Sequence, residues 1–192
     1  MKLIQKSGES VMDMAAEILK TDDEKTKPAI VNGELITLNQ LKEKIQNLFA
    51  ARIKDKCLVV EIKLSIETAD MPFPKAKLQQ IIGNLLSNAI KFTPSGGKVT
   101  LFLELLLKDE QNLLYITISD TGVGMENEMI AQILNSSTKS TSGTNGEAGF
   151  GLGLALVKQL VTECKGNLTL SSQIDLGTTF KVSIPLLPNI NL

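Results

Sequence analysis

Asn84, Asn88 and Lys91 lie on one side of a stretch, Gln80–Thr93 (QIIGNLLSNAIKFT), whose other side is apolar. At helical spacing, Ile81, Ile82, Leu85, Leu86, Ala89 and Ile90 make one face. Gln80, Asn84, Asn88 and Lys91 stack on another. An amide oxygen is a hard, neutral ligand that suits Mg²⁺, an ion that keeps waters and takes phosphate oxygens as its remaining ligands. A lysine three residues on supplies a point charge for a phosphate. The same pattern also describes a plain solvated polar face.

Two glycine-rich stretches add to this set. Asp120 closes an alternating strand and precedes T-G-V-G, where Gly122 and Gly124 let the backbone turn and approach a flat ligand closely. A carboxylate there can accept a hydrogen bond from an exocyclic amine such as that of adenine; an ordinary Asp-Gly turn is the competing reading. GFGLGLAL, Gly149–Leu156, opens a helix with glycines at alternate positions. Its first amides, left uncovered, and its dipole make an anion site. The spacing matches neither the P-loop nor the dinucleotide fingerprint. GTTF, Gly177–Phe180, reads as a turn into a strand.

The rest of the chain must position these residues. Its 192 residues suit one domain plus an appendage, and 43% hydrophobic content supports a real core. The net charge is −1 without a basic block, so nucleic acid is not an expected partner. No run reaches the length of a membrane span. No uninterrupted apolar leader opens the chain, and two cysteines suggest neither a disulfide framework nor a metal site, so a cytoplasmic setting is expected. Histidine is absent, and any chemistry that needs one must borrow it.

Residues 2–20 read as a helix with a seam of Ile4, Gly8, Val11, Ala15 and Ile18, too short to stand alone. Residues 21–29 are a charged linker. A short strand within Ile30–Thr37 precedes a helix from Leu38 to about Ala51, N-capped by Thr37, with Leu41, Ile45 and Leu48 on its inner face. Leu58–Ile66 is strand-like, and Pro72 and Pro74 set the start of the asparagine-bearing helix. After the PSGG turn, strands Lys98–Leu106 and Leu113–Ser119 form a hairpin. A short helix, Glu126–Leu134, leads into a polar loop, 135–150, whose length and composition suit a functional segment. A helix over Gly151–Cys164 and strands Asn167–Ser172 and Thr178–Pro185 complete the chain. This order predicts an α+β two-layer sandwich: a mostly antiparallel sheet with helices on one face.

The succession NLLSNAIKFTPSGG, DTGVGM, GFGLGLALVKQLV and GTTFKVSIPL resembles the ATP-binding catalytic domain of sensor histidine kinases, within the superfamily that includes gyrase, Hsp90 and MutL. The resemblance covers roughly residues 29–187. It implies a Bergerat-type α/β sandwich that binds ATP with Mg²⁺. By that resemblance Asn88 is the metal ligand, Asn84 and Lys91 are phosphate-side contacts, and Phe92 is the aromatic beside the nucleotide. Asp120 reads the adenine amine with Gly122 and Gly124 behind it. Gly149, Gly151, Leu152, Gly153 and Leu154 surround the phosphates. The loop 135–150 corresponds to the lid, with Lys139 loosely matched to a lid cation. Residues 1–27 resemble the remnant of a dimerisation-hairpin helix and its linker, and 28–192 the ATP-binding domain. The implied partners are a histidine-bearing dimerisation domain and a response-regulator receiver domain. Two departures stand out: QILNSS before the lid has no aromatic, and Pro74 stands where an aspartate is common.

Four functions fit these residues: transfer of a γ-phosphate to a histidine elsewhere, an ATP-hydrolysing switch, a serine kinase, and a degenerate binding module. Hydrolysing and serine-phosphorylating relatives usually carry a glutamate one turn before the magnesium asparagine. Here that position is Asn84, and an amide cannot serve as a general base. The histidine-kinase reading is therefore preferred.

Overall fold

The computed structural model describes residues 35–65, 72–106, 112–134 and 152–186. The chain divides into two compact units, Met1–Gly33 and Glu34–Leu192. The first lies wholly outside the described residues, and with it the expected seam and linker.

In the second unit a short strand β1 (Leu35–Thr37) leads into α1 (Leu38–Asp55). Thr37 begins that helix as expected. Its hydroxyl accepts from Gln40 N–H at 3.2 Å while the Gln40 side chain accepts from Thr37 N–H at 3.1 Å, a reciprocal capping box. The helix runs four residues past the expected end and finishes with Arg52 and Lys54 in its last turn. Its inner face is Leu38, Leu41, Ile45 and Phe49. Leu48, expected there, is 71% exposed. From Ile45, i+4 rather than i+3 meets the core, and the larger Phe49 takes the place.

Then follow β2 (Val59–Leu64), β3 (Pro72–Pro74) and α2 (Lys75–Phe92). The two prolines form β3, which pairs antiparallel with β1 to make a two-stranded sheet. They precede the helix rather than opening it. After α2 come β4 (Lys98–Leu106), β5 (Asn112–Asp120), α3 (Asn127–Leu134), α4 (Leu152–Glu163), β6 (Asn167–Gln173) and β7 (Gly177–Leu186).

The main sheet has the order β2-β4-β5-β7-β6. β2 pairs parallel with β4, and every other pairing is antiparallel. Period-two alternation sets the faces. Val99, Leu101, Leu103 and Leu105 of β4 lie opposite or beside Leu114, Ile116 and Ile118 of β5 and Phe180, Val182 and Ile184 of β7. All ten are buried, and the helices pack on them through Ile81, Ile82, Leu85, Leu86, Ala89 and Ile90 of α2 and Val157, Leu160 and Val161 of α4. The apolar side of the asparagine-bearing stretch is thus the face that meets the sheet, and the predicted two-layer α+β sandwich is the observed fold. Among the described residues no helix is long and apolar enough to cross a membrane.

Candidate functional site

α2 turns Ile81, Leu85 and their neighbours into the core, which leaves Gln80, Asn84, Asn88 and Lys91 along its half-buried flank. Asn84 and Asn88 are one turn apart. Asn84 is held: its Nδ2 donates to Gln80 O at 2.8 Å. Its Oδ1 faces the first turn of α4, where a Cβ on Gly153 would stand 2.7 Å away. Gly153 therefore lets the N-terminus of α4 come against the amide of Asn84. The N–H groups of that first turn have no intrahelical acceptors, so the positive end of the helix dipole sits beside the asparagine. Leu154 is partly buried against the core and anchors the turn; Leu152 begins the helix.

Two turns further along α2 the helix meets the second motif. Val123 N–H donates to Phe92 O at 3.2 Å. A Cβ on Gly122 would lie 2.6 Å from Phe92 O and 2.6 Å from Asp120 Oδ1. Backbone cannot yield as a side-chain tip does, so only glycine fits. Gly124 has φ +67°, and a Cβ there would fall 1.9 Å from Gln173 O. Lys91 places its ammonium 4.7 Å over the centroid of the Phe92 ring, within cation–π range.

Asp120 continues the buried face of β5, two residues beyond Ile118, and so points to the helix side of the sheet at its rim. Its Oδ1 accepts from Gly122 N–H at 2.8 Å and from Thr178 N–H at 3.2 Å. Burial pushes the carboxyl up to about 6, against the pull of the Gly122 and Thr178 amides. Both of those bonds use Oδ1, which leaves Oδ2 as the acceptor for a group arriving from the helix side.

Thr178 is a site residue that the sequence reading gave no role. It lies opposite Asp120 in the β5–β7 register. Its hydroxyl is 2.9 Å from Ser172 Oγ, which also donates to Gly177 O at 2.9 Å. Gly177 has φ +100°, and a Cβ there would fall 1.9 Å from Asp120 O. The GTTF turn is thus the far wall of the Asp120 niche. The residues 58 positions apart meet only through strand pairing, so the local sequence carried no sign of it.

The donor set suits a magnesium ion held mainly by phosphate and water oxygens. Among the described residues, no group of three or more His, Cys, Asp or Glu side chains is placed to hold a metal. Asn88 offers one hard amide oxygen one turn from Asn84, on the same half-buried flank. The site fits such an ion as a single-ligand contact. Lys139, Gly149 and Gly151 lie outside the described residues, as does the rest of loop 135–150.

Residues 74–188 match the model of the histidine kinase-, DNA gyrase B- and HSP90-like ATPases. The chain belongs to that family. It is 35% identical over 153 residues to the autoinducer 2 sensor kinase/phosphatase LuxQ of Vibrio vulnificus, covering 78% of this chain and 17% of that protein. It is 34% identical over 169 residues to the hybrid signal transduction histidine kinase D of Dictyostelium discoideum, covering 84% of this chain and 10% of that one. The chain thus spans less than a fifth of the length of these two relatives. Among solved structures, the fold resembles the nucleotide-free catalytic domain of the histidine kinase ThkA, with TM-score 0.65, 21% identity, and coverage of 81% of this chain and 96% of that one. It also resembles full-length ShkA in complex with AMPPNP, with TM-score 0.66, 22% identity, and coverage of 93% of this chain and 36% of that one.

Proposed function

We propose that this chain is the ATP-binding catalytic portion of a two-component sensor histidine kinase. It holds Mg-ATP and presents the γ-phosphate to a histidine on a dimerisation domain of the intact protein, from which a response-regulator receiver domain takes it. A cytoplasmic setting belongs to the same reading. The observation that carries it is the Asp120 niche. One carboxylate oxygen is fixed by two backbone amides, and a glycine that no other residue can replace lies against Phe92.

Asp120 Oδ2 accepts from the exocyclic amine of adenine, with the Gly122 backbone packed against Phe92 O behind it. From Phe92 back to Asn84 is eight residues, about 12 Å along the helix. That span lays the sugar and phosphates along Asn88 and Asn84 toward the free amides of α4. Asn88 would hold the Mg²⁺ ion, whose charge, when bound, would offset that of the phosphates. Phosphoryl transfer is mostly positioning and charge stabilisation, so the chain's task is to bind and aim.

The hydrolysing-switch reading has less support. The Asn84 amide donates to its own helix and has no basic atom with which to take a proton from water. The name LuxQ pairs kinase with phosphatase; the proposal here concerns the kinase direction alone.

The test is calorimetry with Mg-ATP on the wild-type chain and on Asn88→Ala and Asp120→Ala. The wild type binds, and both variants lose binding while their circular dichroism is unchanged. Equal affinity in all three would refute the site. Incubation of the chain with γ-labelled ATP leaves it unlabelled, because it has no histidine. A label on Ser, Thr or Tyr would overturn the histidine-kinase assignment.

A further inference from the structure

A helix end leaves four carbonyls without partners inside the helix. In α2 all four are satisfied, by three residues from different parts of the chain. Ala89 O accepts from Thr93, through its N–H at 3.0 Å and its hydroxyl at 2.5 Å. Phe92 O accepts from Val123 N–H. The two between them, Ile90 O and Lys91 O, both accept from Nζ of Lys56, each at 2.9 Å.

Lys56 follows directly on α1 and is only 5% exposed. A buried ammonium is costly unless its protons are matched. Here it meets carbonyls at the negative end of a helix dipole, where a cation is favoured. Its own carbonyl accepts from Gly96 N–H at 3.1 Å. One residue thus grips both sides of the bend between Phe92 and Gly97.

We propose that Lys56 is a positioning residue of the nucleotide site. By holding Ile90 O and Lys91 O it fixes the last turn of α2, and with it Lys91, Phe92 and the Phe92 carbonyl against which Gly122 and Val123 rest. Its charge acts on the nucleotide only through that turn. The inference deepens the ATP-binding reading and rests on it for its consequence, while the restraint on the turn is a property of the chain alone.

The experiment compares the full chain with Lys56→Met, Lys56→Arg and a control, Leu105→Ala. Leu105 is a buried residue near the far end of β4 from Asp120. Two quantities are read: Mg-ATP affinity by calorimetry, and amide exchange at Val123 without nucleotide, relative to Ile116 in mid-strand. Lys56→Met weakens affinity roughly ten-fold, as expected on removing a charged hydrogen-bond donor, and speeds exchange at Val123. Lys56→Arg restores most of both. Leu105→Ala lowers the melting temperature but leaves affinity and relative exchange unchanged.

Wild-type affinity in Lys56→Met, or an equal loss in Leu105→Ala, overturns the proposal. Should Lys56→Met not fold, Lys56→Gln replaces it under the same criteria. If the wild type itself does not bind Mg-ATP, the functional reading fails, and the exchange data alone judge the restraint.

Discussion

Asp120 is a carboxylate whose surroundings pull it two ways. The half-buried position raises its proton affinity, and the amides of Gly122 and Thr178 lower it, leaving it at about 6. An unfolded aspartate titrates at roughly 4. The folded state therefore binds the proton more tightly, and the associated stability is present below roughly 4 and lost as pH rises through about 6. Melting temperatures of wild type and Asp120→Asn across that range should show a falling component in the first that is missing in the second. Identical slopes would mean that another group is responsible. Binding runs the opposite way. With both amides on Oδ1, the proton goes to Oδ2 and turns that acceptor into a donor, so adenine-nucleotide affinity should drop as pH falls below about 6. The position of Asp120 was legible in the sequence because Leu114, Ile116 and Ile118 set the alternation that it completes. Thr178 was not, because nothing local links it to β5.

At the scale of elements, each helix is set by its own sequence and then placed by tertiary contacts. Thr37 and Gln40 make the start of α1 a local affair, which is why it could be foreseen. Thr37→Ala removes the cap and should cost about 1 kcal/mol in denaturant unfolding, with no change in nucleotide affinity, since the cap lies at the end of α1 remote from Lys56. An affinity change equal to that of a site variant would show that α1 transmits strain to the site. The end of α1 was less legible, because charged and apolar residues continue without a breaker until Lys56 and Cys57. Cys57 takes a left-handed conformation, φ +52°, usually left to glycine, so the stop signal is not written in residue type. The same holds for the C-terminus of α2. The PSGG composition announced a turn, but the buried lysine that closes the helix comes from 34 residues earlier.

Across the whole molecule, the sandwich was readable because amphipathic patterns on helices and strands agree. α2 packs Leu85 at 0% exposure, and Leu85→Ala should cost about 2–5 kcal/mol. Leu48→Ala, at an exposed side chain on the edge of the inner face of α1, should stay within roughly 0.5 kcal/mol. Chemical denaturation of both variants checks this; a large loss for Leu48 would mean that the exposed side chain is covered in solution. Periodicity alone could not choose between Leu48 and Phe49, since both lie within a turn of Ile45. The parallel partnership of β2 with β4 was also hidden, because pairing direction has no local signature.

That parallel partnership has a consequence for how firmly the asparagine-bearing helix is held. α2 is the bridge of a strand–helix–strand crossover: the chain leaves β2, passes through α2 and returns beside β2 in β4. Two strands running the same way cannot be joined by a tight turn, so the helix is threaded into the sheet's connectivity rather than hung on its surface. The backbone that carries its asparagines cannot leave the sheet while the β2–β4 ladder holds. The flank that carries Asn84 and Asn88 is thereby as rigid a part of the fold as the sheet beneath it.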